Sequence, residues 1–163
     1  MRVIGIDPGN QSTGWCVLDY DHAQLPSFVD FGIIKTNVKF SYIKRLFFIH
    51  NAINNVVNIY KPLQMATEIS FLNKNPRSSL SLERLRGAVL LTSAILNLEV
   101  FEYHACKIKE VIVGCGHASK DQVRYMVCKE LDIENKPIKH DAYDACAIAM
   151  CHIYITRSII SSI

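Results

Sequence analysis

Hydrophobic and polar positions alternate from Arg2 to Asp7, and the run stops at Asp7-Pro8-Gly9, the pattern of a short strand entering a forced turn. Thr13 to Tyr20 resumes a β-rich run after the polar residues Asn10 to Ser12, so the two runs predict a hairpin. A third extended stretch, Ser27 to Lys35, follows Pro26. From Ser41 to Tyr60 the spacing changes. Ile43, Leu46, Phe47, Ile49, Ile53, Val56, Val57 and Tyr60 recur at steps of three and four, giving a helix with one apolar face that Lys61-Pro62 ends. Leu63 to Glu68 is a short buried strand, and Phe71 to Pro76 has loop chemistry. Ser78 or Ser79 is placed to cap a helix reaching about Asn97. Glu99 to Tyr103 makes another strand, and Lys107 to Val113 a helix stopped by Gly114. Ser119 caps a helix to about Leu131, and the polar loop Asp132 to Lys139 leads into a helix from Asp141 to Ile155. The order β-β-β-α-β-α-β-α-α-α implies an α/β fold, a mixed sheet with helices on its faces.

A chain of 163 residues, half of them hydrophobic, is sized for one compact domain with a full core. Eighteen basic residues against fifteen acidic ones leave a net charge of +3, too small to argue by itself for a polyanionic partner. The six cysteines form no C-x-x-C pair, so they read as reduced core residues rather than zinc ligands or disulfides. No secretory leader is evident and no run approaches the ~18 to 20 apolar residues that span a bilayer, which points to a cytoplasmic protein.

Four acids stand out by position. Asp7 closes the first strand at a turn, and Glu68 closes an otherwise apolar strand expected beside it in the sheet. Asp141 and Asp144, three residues apart at the start of the last helix, share one face of its first turn. Singly, each has an ordinary explanation: acids suit the helix N-terminus, and Asp-Pro-Gly is common turn chemistry. Together they would raise one another's pKa and destabilise the fold unless a cation neutralised them, and no basic residue stands at a matching position. Hard oxygen donors without histidine or cysteine at ligand spacing favour Mg²⁺ or Mn²⁺ over zinc. Two such ions about 4 Å apart are suited to phosphodiester hydrolysis.

The stretches G-I-D-P-G-x4-T-G-W from Gly5, E-I-S-F-x-x-N-K-N from Glu68, R-G-A from Arg86, V-F-E-Y from Val100, K-x-x-V-x-G-x-G-x-A-x-K-x-Q-V from Lys109 and H-D-A-Y-D-A-C-A-I-A from His140 together resemble the bacterial RuvC family of Holliday-junction resolvases. The likeness runs in order over nearly the whole chain. It implies a ribonuclease-H-like fold with a mixed five-stranded sheet flanked by helices, residues 1–157 as a single nuclease domain, and 158–163 as a tail. It also implies Asp7, Glu68, Asp141 and Asp144 as catalytic metal ligands holding two Mg²⁺ ions, with Mn²⁺ able to substitute. Phe71 would stack on a nucleobase, and Lys109 and Lys120 would contact DNA phosphates. The implied substrate is four-way junction DNA, cut by a homodimer that works with a branch-migration motor complex of the RuvA and RuvB type.

These assignments have readings of their own. Phe71 follows Glu68 by three residues in a polar loop, where a base-stacking role and a buried core role are equally open. A lysine on an amphipathic helix, as at Lys109, is ordinarily solvated, whereas Lys120 sits in a helix's first turn, where the dipole disfavours a cation and a nearby phosphate would explain it. His140, just before Asp141, is placed for proton transfer or metal ligation, or simply for a polar cap. Asn10-Gln11-Ser12 replaces a stretch that is more basic in the family, so backbone contacts near the first strand should be fewer. Leu80, Leu82, Leu85, Val89, Leu90, Leu91, Ile95 and Leu96 give the helix after Ser79 more apolar surface than one sheet contact uses, which suggests an isologous dimer interface. The rivals are a YqgF-like nuclease acting on RNA, which should lack the Phe71 loop and the Lys109 to Val123 segment, and a junction-binding scaffold, which should lack a carboxylate.

Overall fold

The computed structural model describes residues 1–21, 25–37, 39–69, 76–134 and 140–160, with backbone alone at 76–78 and 160. Among the described residues five strands and five helices occur in the expected order: β1 Arg2–Asp7, β2 Ser12–Asp19, β3 Ser27–Lys35, α1 Tyr42–Tyr60, β4 Gln64–Ile69, α2 Pro76–Ile95, β5 Glu99–His104, α3 Ala105–Val113, α4 Lys120–Glu130 and α5 His140–Ile160. The sheet order is β3-β2-β1-β4-β5. β1, β2 and β3 pair antiparallel, and β1–β4 and β4–β5 pair parallel. The first strand is therefore central, and the C-terminal ends of β1 and β4 open side by side, where ligands collect in α/β sheets.

The strand period divides the core in two. Ile4, Ile6, Val17 and Met65 turn to one face, against Ile49, Ile53 and Val57 of α1 and Leu85 and Val89 of α2. Val3, Cys16, Leu18 and Ala66 turn to the other, under α5, with α3 and α4 outside it. On that second face β1 and β2 place glycines where a helix must come close. A Cβ on Gly5 would overlap the carbonyl oxygen of Ala145, and a Cβ on Gly14 the carbonyl oxygen of Asp141. Ala142, Ala145, Cys146 and Ala149 complete a small-residue seam, all of them buried. α5 is thereby drawn onto the sheet within backbone distance, and its acidic first turn arrives beside the end of β1.

Local chemistry explains most of the boundaries. Ser41 caps α1 through a bond from the Lys44 N–H, and Lys61 closes it in the left-handed region, φ 53°. Gly114, at φ 82°, ends α3. Ser119 and Gln122 form a reciprocal capping box that fixes Lys120 as the first residue of α4. One start differs from expectation. Instead of a serine cap at 78 or 79, α2 begins at Pro76, and Ser79 is a buried residue of the helix. Proline's fixed φ and missing N–H suit the first helical position, where no intrahelical donor is needed.

Two apolar expectations divide. On α1, Ile49, Ile53 and Val57 are buried, but Ile43 and Phe47 are exposed; on α2, Leu85 and Val89 are buried, but Leu80, Leu91 and Ile95 are exposed. All six cysteines are free thiols. Cys16, Cys146 and Cys151 are in the core, Cys128 is half-buried, and Cys106 and Cys115 are exposed, against the core expectation for those two. Among the described residues no helix is long and apolar enough to cross a membrane.

Candidate active site

β1 carries Asp7 on the same face as Gly5, so its carboxylate turns toward α5 rather than toward α1 and α2. Parallel pairing of β1 with β4 brings Glu68 to the neighbouring strand end, one residue before β4 finishes at Ile69. Docking of α5 delivers Asp141 and Asp144. One carboxylate oxygen each of Asp7, Asp141 and Asp144 lies within 4.8 Å of the others. Glu68 stands outside that tight group but lines the same cleft of about 210 Å³, with Asp7, Asp144, Lys109 and Lys120.

The electrostatics match this arrangement. Burial, then the charges of Asp144, Glu68 and Asp141, push the Asp7 carboxyl well above the usual carboxylate range, with Lys120 opposing them. Burial and Asp144 also raise Glu68, while Lys120 and Lys109 pull it down. Ser12, at the start of β2, donates a hydrogen bond from its hydroxyl to Asp141 Oδ2 and so orients that carboxylate.

The sequence expectation that no basic residue shares the acid cluster is corrected here. Lys120 Nζ donates to Asp144 Oδ2 at 2.6 Å. Burial works against its charge, but the bond to Asp144 and the fields of Asp144, Asp7 and Glu68 prevail and raise its pKa. A cation in the unfavourable first turn of α4 is thus held by Asp144 of α5 and by the strand-end acids Asp7 and Glu68. Lys120→Ala is expected to lower the melting temperature of the metal-free protein and to enlarge the gain that Mn²⁺ produces, because one counter-charge is gone. Thermal melts with and without Mn²⁺ check this, and equal melting of both proteins would contradict it.

Lys109, on α3, is half-buried against the cleft rather than freely solvated. His140, the first residue of α5, is exposed, and its Nδ1 lies 3.5 Å from Arg124 Nη1. It is not part of the carboxylate group that could hold a metal. Phe71 lies outside the described residues. Sequence reasoning missed Ser12 and Arg124 as neighbours of the site. The only signal for Ser12 was its place in the departure Asn10-Gln11-Ser12.

The profile of the family described as crossover junction endodeoxyribonuclease RuvC matches residues 3–152. This chain belongs to the RuvC family. A crossover junction endodeoxyribonuclease RuvC from Wolbachia sp. subsp. Brugia malayi is 43% identical over 158 residues, covering 96% of each chain. Its counterpart from Ehrlichia canis is 44% identical over 154 residues, 94% of this chain and 97% of that one. Among solved structures, Thermus thermophilus RuvC in complex with a Holliday junction substrate superposes with a TM-score of 0.90 at 28% identity, covering 97% of this chain and 96% of that one. A yeast mitochondrial Holliday junction resolvase, 10% identical with a TM-score of 0.70 and covering 98% of this chain and 83% of that one, shares the fold. Four acids and two lysines assigned by resemblance to RuvC therefore fall, in this member of the family, on the walls of one cleft or on the acid group beside it.

Proposed function

We propose that this chain is a metal-dependent endonuclease that resolves four-way DNA junctions by two symmetric nicks, leaving 5′-phosphate and 3′-hydroxyl ends. The observation that carries the reading is the convergence of Asp7, Asp141 and Asp144 within 4.8 Å, beside Glu68, at the mouth of a lysine-edged cleft in a RuvC-family chain. RuvC-family chemistry depends on divalent metal. The donor set here fits that need: half-buried carboxylates, no histidine or thiolate among them, and a charge excess that raises Asp7. We assign Asp7, Glu68, Asp141 and Asp144 as the groups that would hold Mg²⁺, two ions per site, with Mn²⁺ able to replace it. Bound there, the metal would lower the pKa of the attacking water and stabilise the departing oxygen.

The chain's own residues supply the rest. Ser12 keeps one oxygen of Asp141 engaged and so fixes the direction of the other. Lys120 neutralises Asp144 in the metal-free protein; once that carboxylate is otherwise engaged, its ammonium is free for the scissile strand's phosphate. Lys109, across the cleft, supplies the second phosphate contact. Phe71 is assigned to stacking on a base near the cut, and stacking of this kind contributes about 1 to 3 kcal/mol per base. His140 faces Arg124 rather than the acids, so we place it on the substrate-facing rim, where it is also open to carry protons to solvent.

Two nicks related by symmetry call for two sites, hence a C2 homodimer, and the exposed Leu91 and Ile95 of α2 support an interface there. We read residues 1–157 as the single nuclease domain, acting in the cytoplasm with a branch-migration motor of the RuvA and RuvB type.

Incubation with a synthetic mobile four-way junction, a linear duplex and an RNA–DNA hybrid in Mg²⁺, followed by product mapping, tests this directly. Paired nicks at symmetric positions of the junction alone are expected, and preferential cutting of the hybrid would overturn the assignment. Mn²⁺ should also stabilise the folded chain, by about 2.7 kcal/mol at a free concentration 100 times its dissociation constant. That gain should shrink on acidification, because protons compete for Asp7. An unchanged melting temperature in millimolar Mn²⁺ would contradict the metal assignment.

A further inference from the structure

We propose that Arg124 and His140 form a second anchoring point for the DNA strand, a phosphodiester site on the rim beside the carboxylate cleft. The inference rests on the reading of the protein as a junction nuclease and adds to it a contact that the family resemblance does not supply.

Arg124 lies four residues after Lys120 on α4, so both side chains leave the same helix face, about 6 Å apart along its axis. Its guanidinium sits 5.5 Å from the ring centroid of Tyr143, a side chain only 1% exposed, which gives the arginine a rigid platform. From there Nη1 reaches to 3.5 Å from Nδ1 of His140. Arginine has no acceptor, so in this contact His140 Nδ1 is the accepting atom and Nε2 is left for other partners. The two residues therefore present hydrogen-bond donors to the solvent at the same place. Among the described residues Arg124 joins no ion pair, whereas Lys120, one turn earlier, is paired with Asp144.

His140 Nδ1 can accept only one of the guanidinium's N–H groups, which leaves the rest of the fork, held over a buried ring, open to a further acceptor. A phosphodiester supplies two anionic oxygens and matches the guanidinium fork. The location selects which phosphate: His140 immediately precedes Asp141, so a strand held at the acids by Lys109 and Lys120 leaves the cleft past this pair. A solvated arginine on a helix would need neither the ring beneath it nor the imidazole beside it.

The test compares the natural chain with Arg124→Gln and Arg124→Lys. Binding of a labelled four-way junction is measured with metal chelated, across a salt series, beside thermal melting and single-turnover cleavage in Mg²⁺. Loss of one phosphate contact should flatten the dependence of log affinity on log salt by about 0.9 in Arg124→Gln. Arg124→Lys should keep the natural slope, because it keeps the charge, but should bind more weakly for want of the fork. An unchanged slope in Arg124→Gln overturns the site, and so does a lowered slope that Arg124→Lys shares together with a lowered melting temperature, since that pattern marks a packing role over Tyr143. Failure of the natural chain to prefer the junction over linear duplex would count instead against the functional reading.

Discussion

Asp7→Asn is expected to yield a folded protein that binds four-way junctions, cuts them at least about 10³-fold more slowly, the scale of losing a group that stabilises transition-state charge, and melts higher than the natural chain when metal is absent. The first effect follows from the place of Asp7 among the acids, within 4.8 Å of Asp141 and Asp144. The second follows from burial, which with Asp144, Glu68 and Asp141 raises its pKa well above 3.8. Between 3.8 and that raised value the folded chain retains a proton that the unfolded chain has lost. Stability therefore falls as pH rises through the window, and above it the natural protein has lost all of that contribution. An amide has no such penalty. Junction binding should hold or tighten, because a negative charge near the phosphates is gone. Melting curves at several pH values, with single-turnover cleavage, check both halves. Natural cleavage rates in Asp7→Asn would remove the carboxylate from the mechanism, and a lower metal-free melting temperature would remove the charge-crowding argument.

Gly14→Ala is expected to slow cleavage strongly while adding a single methyl group and removing no charge, at the position on β2 that pairs with Asp7. Its Cβ would overlap the backbone carbonyl of Asp141, and backbone cannot swing aside as a side-chain end can. The first turn of α5 must lift off β2, or the helix must slide. Overpacking of this kind costs roughly 1 to 3 kcal/mol. A displacement of about 1 Å at the acids is enough to slow cleavage about 100-fold. The informative comparison is Gly87→Ala, where an added Cβ meets nothing within 4 Å. That change should preserve cleavage. Equal activity in Gly14→Ala and Gly87→Ala would show that α5 is not held against the sheet by the glycine contact.

Much of this was legible because the information was local. Asp7 before Pro8-Gly9, Glu68 at the end of an apolar run and the Asp141/Asp144 spacing are each fixed by a few neighbouring residues, and all three strand-end or helix-start placements stand in the structure. What stayed hidden depends on how helices lie across the sheet. Nothing near Lys120 in the chain announces Asp144 as its partner, because the pairing is set by the packing of α4 on α5. The bond from Ser12 to Asp141 spans 129 positions and needs β2 and α5 in place. The start of α2 was misjudged for a different reason: serine caps and a first-turn proline compete over the same few residues, and the proline prevails. Exposed Ile43 and Phe47 look like core residues because helical periodicity gives the direction of a side chain but not whether anything covers it.

The seam between α5 and the sheet also bears on how the protein is made. Asp7 and Asp141 are separated by 134 positions (141 − 7), so the nuclease centre is the joint product of the first strand and the last helix. During synthesis the N-terminal hairpin, α1 and the rest of the sheet leave the ribosome before α5 exists, and every chain that stops before Asp141 lacks both helical acids. A prematurely terminated product is therefore not a loosely regulated nuclease but a protein with one exposed sheet face and no means of cutting DNA. Quality control would recognise the bare face, while the chromosome is protected by the order in which the parts arrive.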